Sequence, residues 1–334
     1  MGNKILTKEE KAREKHFELN TRRLEIGHYE VRLPLSDTAD KLGDSYDTAR
    51  VKFLKLEQRL LKQPQLRKYY SGFLEEYVQL GHMTPLGAAE VKRNSPDFYM
   101  PHYGVLKETS STTKLRVMFN GSEKSSNGVS LNDILMTGPK VQDGLLDIVQ
   151  RFRLHKIVMS ADVGKMYRQI WVHPDDRSLQ RSLCRKTPDQ LITTYELNTV
   201  TYGTASVPFL ITSCLQQLIE DEAINYPEAA KIAMNGFYVY DLITGTDGVD
   251  SALCLQQDLI DKLKKGGFTL RKWLSNHPAL LEHLPPEEVE RKLSLSFGNE
   301  DVVKALGLLW NSTTDKLIFC VQINQTILQQ KEVY

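Results

Sequence analysis

The stretch that decides the fold is IVMSADVGKMYRQI, at residues 157–170. Ile157 to Ala161 is short and apolar, which predicts a buried strand that ends at Asp162. A carboxylate at the end of a buried strand must be solvated, capped or bound to a metal, because an isolated buried charge is costly. For Asp162 taken alone, a capping or turn role is the simpler interpretation.

A second acidic residue interrupts another apolar segment, FYVYDL at residues 237–242. Here we predict a strand from Phe237 to Ile243 that Tyr240 and Asp241 interrupt. Carboxylates on two separate strands meet only if those strands are neighbours. Two carboxylates that meet in this way could hold Mg²⁺ for phosphoryl transfer, because Mg²⁺ prefers oxygen ligands.

Length and composition restrict the class of protein. The 334 residues include 43 Lys and Arg against 42 Asp and Glu, so the net charge of +1 excludes a uniformly basic nucleic-acid coat but allows a local basic channel. A hydrophobic content of 41% is ordinary for a globular chain and excludes a disordered one. The four cysteines form no CxxC pair, which favours reduced thiols over a disulfide framework or a zinc site.

The two parts of the chain differ in predicted secondary structure. Apolar residues recur at helical spacing from Ser45 to Leu61 and again from Leu66 to Leu80, so residues 1–96 are predicted to be mostly helical. From Asp97 onward, strands and helices mix without a regular βαβ alternation, which predicts an α+β fold. Tyr99–Lys107 and Lys114–Phe119 are predicted to pair as a β-hairpin.

The N-terminus carries charges at once and lacks the apolar core of a signal peptide. The longest apolar stretch, Val207 to Ile219, is too short to span a bilayer. We therefore expect an intracellular protein, cytoplasmic or nuclear, that is neither secreted nor membrane-bound.

With its motifs taken together, the chain resembles the reverse transcriptase region of a BEL/Pao-type long-terminal-repeat retrotransposon polyprotein. The matching motifs occur in family order: YMPHYGVLK (99–107), STTKLRV (111–117), SLND (130–133), GP (138–139), MYRQI (166–170), NTVTYGTAS (198–206) and LRKWLSN (270–276). Any one of these motifs is weak evidence, whereas the ordered set is specific.

This resemblance implies the fingers and palm of a right-hand polymerase, an RNA-directed DNA polymerase that uses Mg²⁺ or Mn²⁺. Asp162 and Asp241 would be catalytic metal ligands. Tyr167 would be the steric gate that excludes a ribose 2′-hydroxyl. The remaining nucleotide-binding positions implied by the family are Lys107 and Arg116 on the fingers hairpin, Gly203, and Lys272 near the pyrophosphate.

The chain departs from the family at its catalytic hairpin. The family pattern there is Tyr-x-Asp-Asp, but Tyr240 stands where the first aspartate belongs. A phenol with an ordinary pKa of about 10 does not replace a carboxylate at neutral pH. We therefore expect weakened metal binding and weak or absent polymerisation.

The resemblance also implies a division of the chain. Residues 1–96 would be the N-terminal region, 97–322 the fingers and palm, and 323–334 a short unrelated tail, without a thumb. Expected partners are an RNA or DNA primer–template, deoxynucleotides and other parts of the parent polyprotein. Two alternatives stay open, namely a non-catalytic nucleic-acid-binding or interaction protein that keeps the fold, and a degenerate remnant.

Overall fold

The computed structural model describes residues 6–91, 96–106, 114–290, 303–305, 308–312 and 314–318. The described residues form a mixed α+β structure, in agreement with the fold class predicted from the sequence. Over these same residues, none of the helices combines the length and the apolar character needed to cross a bilayer.

The helices cluster in the N-terminal third and again after residue 200. In chain order they are α1 (Lys8–Asn20), α2 (Tyr46–Lys62), α3 (Pro64–Gln79), α4 (Ala88–Val91), α5 (Leu145–Phe152), α6 (Val207–Asp221), α7 (Pro227–Gly236), α8 (Val249–Lys264) and α9 (Ala279–Glu282). The predicted separation of α2 and α3 is confirmed, because Pro64 lies in the first turn of α3, where its missing N–H is not needed.

The strands are short and mostly antiparallel. They are β1 (Thr21–Arg23), β2 (Tyr29–Val31), β3 (Met83–Pro85), β4 (His102–Leu106), β5 (Leu115–Phe119), β6 (Ile157–Val163), β7 (Trp171–Val172), β8 (Arg181–Cys184), β9 (Thr193–Leu197), β10 (Phe237–Tyr238), β11 (Asp241–Thr246), β12 (Leu270–Ser275), β13 (Val303–Ala305), β14 (Leu308–Asn311) and β15 (Lys316–Ile318). Short 3₁₀ helices cover Ala39–Lys41, Leu131–Asp133, Met166–Gln169 and Pro174–Gln180.

The chain divides into two units that alternate along the sequence. The first unit takes its described residues from Met1–Gln142, Lys165–Glu222 and Leu263–Phe268. The second unit takes them from Asp143–Gly164, Ala223–Lys262 and Thr269–Tyr334. The boundary that the sequence analysis places at residue 96 falls inside the first unit, and the predicted tail from residue 323 lies outside the described residues.

The first unit contains three small sheets, with strand orders β1-β2-β7, β3-β9-β8 and β4-β5. The β4-β5 ribbon is the predicted fingers hairpin, and its register pairs His102 with Phe119 and Leu106 with Leu115. Leu115, Val117 and Phe119 are buried, so alternate residues of β5 form one packed face.

The second unit contains a four-stranded antiparallel sheet with the order β10-β11-β6-β12. Helix α5 packs its apolar face against this sheet. The shared core consists of Ile148, Phe152, Val158, Ile243, Leu274 and Trp310. Strand β6 continues to Val163 rather than ending at Asp162, so Asp162 lies within the paired part of the sheet.

Two predicted strands are corrected by the structure. The segment from Phe237 is a hairpin with a two-residue turn at Val239 and Tyr240, not one interrupted strand, because β10 and β11 pair antiparallel on either side of that turn. The apolar segment from Val302 to Leu309 also predicts a single strand, but the residues described there form two paired strands, β13 and β14.

Candidate functional site

The predicted catalytic carboxylates lie on neighbouring strands of the second unit. β11 pairs antiparallel with β6, and Asp241 is the direct cross-strand partner of Asp162. Directly opposed residues of an antiparallel pair share a face of the sheet, with Cβ atoms about 5 Å apart. Residues remote in sequence thus place two carboxyl groups side by side.

Two cations of the next strand contact Asp162. Arg271 is the cross-strand partner of Asp162, and its Nε lies 3.2 Å from Oδ1. The Nζ of Lys272 lies 3.3 Å from Oδ2. Consecutive strand residues normally point to opposite faces, but the pairing shifts between Arg271 and Leu274, and Lys272 has a left-handed φ of +56°. The irregular strand thereby brings both cations to one carboxylate.

The environment of Asp241 favours its neutral form. Burial, and then the adjacent Asp162, raise the pKa of Asp241 to about 7, although Lys272 acts in the opposite direction. In the metal-free chain this carboxyl group therefore gains or loses its proton near neutral pH. Asp162, in contrast, has cationic partners at both oxygens.

A third carboxyl group, which the sequence analysis missed, lies within electrostatic range of this pair. The pKa of Glu290 is raised, chiefly by burial. Lys272 and Arg271 act in the opposite direction, and the charge of Asp162 adds to the rise. The backbone N–H of Glu290 donates to the carbonyl of Trp273 at 3.0 Å, which fixes Glu290 beside β12. No motif around residue 290 signals this placement. Arg271 could have been found, because it stands next to Lys272 in LRKWLSN.

The described residues bring two carboxylates together as candidate metal ligands, Asp162 and Asp241. Nowhere in the described ranges do three His, Cys, Asp or Glu side chains come close enough together to hold a metal ion. Tyr240 occupies the turn beside Asp241, and its carbonyl accepts a hydrogen bond from Val163 N–H at 2.9 Å. Its neighbour Val239 has a φ of +57°, which is strained for a β-branched residue.

The first unit holds three of the predicted nucleotide-binding residues. Arg116 is exposed on β5, opposite Val105. The Tyr167 ring stacks on that of Tyr202, with ring centroids 3.7 Å apart and an interplanar angle of 30°. Burial, and then Tyr167, raise the pKa of Tyr202, whereas the charge of Arg116 lowers it, which places Arg116 near the pair.

Gly203 follows Tyr202 and requires the absence of a side chain. Its φ is +105°, and a Cβ there would lie 1.8 Å from the carbonyl oxygen of Phe119. The sequence analysis predicted Arg116, Tyr167 and Gly203 in one set with Lys107 and Lys272. The structure places the first three around Tyr202, which the sequence analysis had not singled out, and it places Lys272 in the second unit, at Asp162. Lys107 lies outside the described residues, so its role stays a prediction.

No protein-family profile matches the chain. No curated protein matches it at a significant level either.

Proposed function

We propose that the chain is a reverse-transcriptase-type domain that binds a primer–template and deoxynucleotides and whose nucleotidyl-transfer activity is weak or lost. The observation that carries this proposal is the register that sets Asp162 directly opposite Asp241 on one face of an antiparallel sheet. Adjacent carboxylates suit metal-assisted phosphoryl transfer, because they supply the oxygen ligands that Mg²⁺ or Mn²⁺ requires. The ordered motifs along the chain favour the reverse transcriptase family.

The surroundings of the two carboxylates support impaired chemistry. The ligand position before Asp241 is a tyrosine. Two carboxylates would therefore have to offset the positive charge of the metal ions, whereas the family pattern provides three. Arg271 and Lys272 contact both oxygens of Asp162 and offset its negative charge. A metal ion would have to compete with these cations for Asp162. The missing ligand at Tyr240 weakens the site further, because the loss of even an outer partner of a metal ligand costs about 10- to 100-fold in affinity or activity.

The first unit supports a nucleotide-binding role. Arg116 is a permanent cation on an exposed ribbon and would contact a triphosphate. Tyr167 would exclude a 2′-hydroxyl by its bulk, and the bare backbone of Gly203 would allow close approach of a nucleotide or template. Lys107 is proposed to bind the nucleotide together with these residues. Lys272, which belongs to the second unit and contacts Asp162, is proposed separately as a nucleotide-binding residue.

Binding without catalysis is the second candidate function. It is favoured by the fact that the cations of β12 neutralise Asp162 within the protein itself. Such a protein would keep contacts to an RNA or DNA primer–template without turnover. In either case we propose an intracellular setting, cytoplasmic or nuclear, in which other parts of a parent polyprotein are available as partners.

Primer extension tests the proposal. The native chain, Tyr240→Asp and Tyr240→Asn are compared on an RNA template with a labelled DNA primer, in Mg²⁺ and separately in Mn²⁺. The Asn variant removes the bulk of Tyr240 without adding a charge, so it is the matched control. We expect at least about a 10-fold gain in extension for Tyr240→Asp alone.

The other outcomes separate the two candidates. Equal gains for both variants would mean that bulk, not charge, limits the site. Robust extension by the native chain would refute the impairment. If no variant extends, but the native chain shifts a labelled primer–template in a gel, binding without catalysis is supported; no shift at all would overturn the proposed function.

A further inference from the structure

The stacked tyrosine pair of the first unit joins two segments that are separate in sequence. Tyr202 lies in a loop, and Tyr167 lies in the 3₁₀ helix Met166–Gln169. Both side chains are partly exposed, so the pair forms part of the surface and not of the core. With centroids 3.7 Å apart, the two rings cover one another closely.

The Tyr202 side of the pair is fixed by its backbone. The carbonyl of Tyr202 accepts a hydrogen bond from Phe119 N–H at 3.2 Å. Asn132 holds the next turn twice, because its Nδ2 donates to the Gly203 carbonyl at 3.0 Å and its Oδ1 accepts from Ala205 N–H at 2.9 Å. The loop is therefore tied both to the fingers hairpin and to Asn132.

The Tyr167 side is anchored through its neighbours. Met166 is buried, and the guanidinium of Arg168 lies 4.3 Å from the ring centroid of Tyr77 and 3.2 Å from the carboxylate of Glu76. These contacts fix the backbone on both sides of Tyr167. Tyr202 packs directly against the face of the Tyr167 ring.

We infer that Tyr202 is a positioning residue that holds the Tyr167 ring in place as the sugar-discriminating gate; this inference rests on the proposed function. A gate that works by steric exclusion must stay within about half an ångström of its working position. A ring that loses its stacking partner can turn about its side-chain bonds and admit the 2′-hydroxyl. An aromatic pair of this kind corresponds to roughly a 2- to 10-fold effect on the preference for deoxynucleotides.

The test measures binding, so that it does not depend on the impaired carboxylate site. The full chain is mixed with an RNA template annealed to a DNA primer that ends in a dideoxynucleotide, and the Kd values of dATP and ATP are measured. The variants are Tyr202→Ala, Tyr202→Phe, Tyr167→Val and the double variant Tyr167→Val/Tyr202→Ala. The readout is the ratio of the two Kd values, which a loss of folded protein leaves unchanged.

We expect Tyr202→Ala to lower the native preference for dATP by roughly 2- to 10-fold and Tyr202→Phe to retain it, because phenylalanine keeps the stacked ring. In the double variant, Tyr202→Ala should cause no further loss beyond Tyr167→Val, since it acts through that ring. An unchanged ratio in Tyr202→Ala, or fully additive losses, would overturn the inference while leaving the proposed function standing. Absence of saturable dATP binding by the native chain would overturn both.

Discussion

Replacing Asp241 by asparagine should stabilise the metal-free chain, and the gain should depend on pH. The pKa of Asp241 is raised from 3.8 to about 7, first by burial and then by Asp162. Between these two pH values the unfolded chain has lost the proton that the folded chain retains. The unfolded state therefore binds fewer protons, and the stability of the native chain falls as the pH rises from about 4 to about 7.

The size of this effect follows from the same shift. A change of roughly three pH units corresponds to about 4 kcal/mol, because one unit is equivalent to about 1.4 kcal/mol. Asp241 is only partly buried and is coupled to Asp162, so we expect about 1–3 kcal/mol in practice. Asparagine resembles the neutral carboxyl in shape and does not titrate. Its advantage should be near zero at pH 4 and complete at pH 8.

Urea unfolding in EDTA, at pH 4, 5.5 and 8, measures this difference. The control is Asp247→Asn on the same unit, where the aspartate is 74% exposed, and we expect that change to stay within about 0.5 kcal/mol at every pH. A difference between Asp241→Asn and the native chain that does not grow with pH would refute the assignment of a buried, proton-retaining carboxyl group at this position.

Three further predictions concern the first unit. Gly203→Ala should lower the free energy of unfolding by more than about 1 kcal/mol in urea, because its Cβ would meet the carbonyl of Phe119; unchanged stability would contradict the left-handed geometry. Arg13 is buried over the Phe209 ring, and its guanidinium nitrogens have no hydrogen-bond partner in the described structure, so Arg13→Met should raise the free energy of unfolding by about 1–3 kcal/mol, seen as a higher Tm. Burial, and then nearby cations, lower the pKa of His82 to about 4, so only the unfolded chain is protonated at this residue between pH 6.5 and 4. In urea unfolding, the free energy of unfolding of the native chain should therefore fall by up to about 3 kcal/mol over that range relative to His82→Phe. Parallel pH profiles of the two proteins would contradict this.

Features that depend on local sequence were predictable. The periodic apolar residues of α2 and α3, and the proline in the first turn of α3, predict two separate helices. The β4-β5 hairpin likewise follows from two short segments that flank a polar stretch of sequence. Motif order then placed Asp162 and Asp241 in one hypothetical site, and their strands are indeed neighbours.

Features that depend on register and backbone irregularity were not predictable. No spacing rule brings two consecutive cations to one carboxylate 109 residues away, because an ideal strand would send Arg271 and Lys272 to opposite faces. The left-handed φ of Lys272 is uncommon for a residue with a side chain and leaves no trace in the sequence. Glu290 and Tyr202 were not predicted for a similar reason, because their place beside the candidate residues depends on tertiary contacts.

The order in which the strands of the second unit are synthesised has a consequence for the nascent chain. The strand that carries Asp162 is made early, but the partner that supplies Arg271 lies 109 residues downstream. At ordinary translation rates this is a delay of about 5–20 s. During that time an apolar strand has an unpaired edge, which is a template for association with other chains. A chain that stops before residue 270 would keep this edge permanently, so truncated products should aggregate or require chaperones, whereas the full sheet closes only when β12 has left the ribosome.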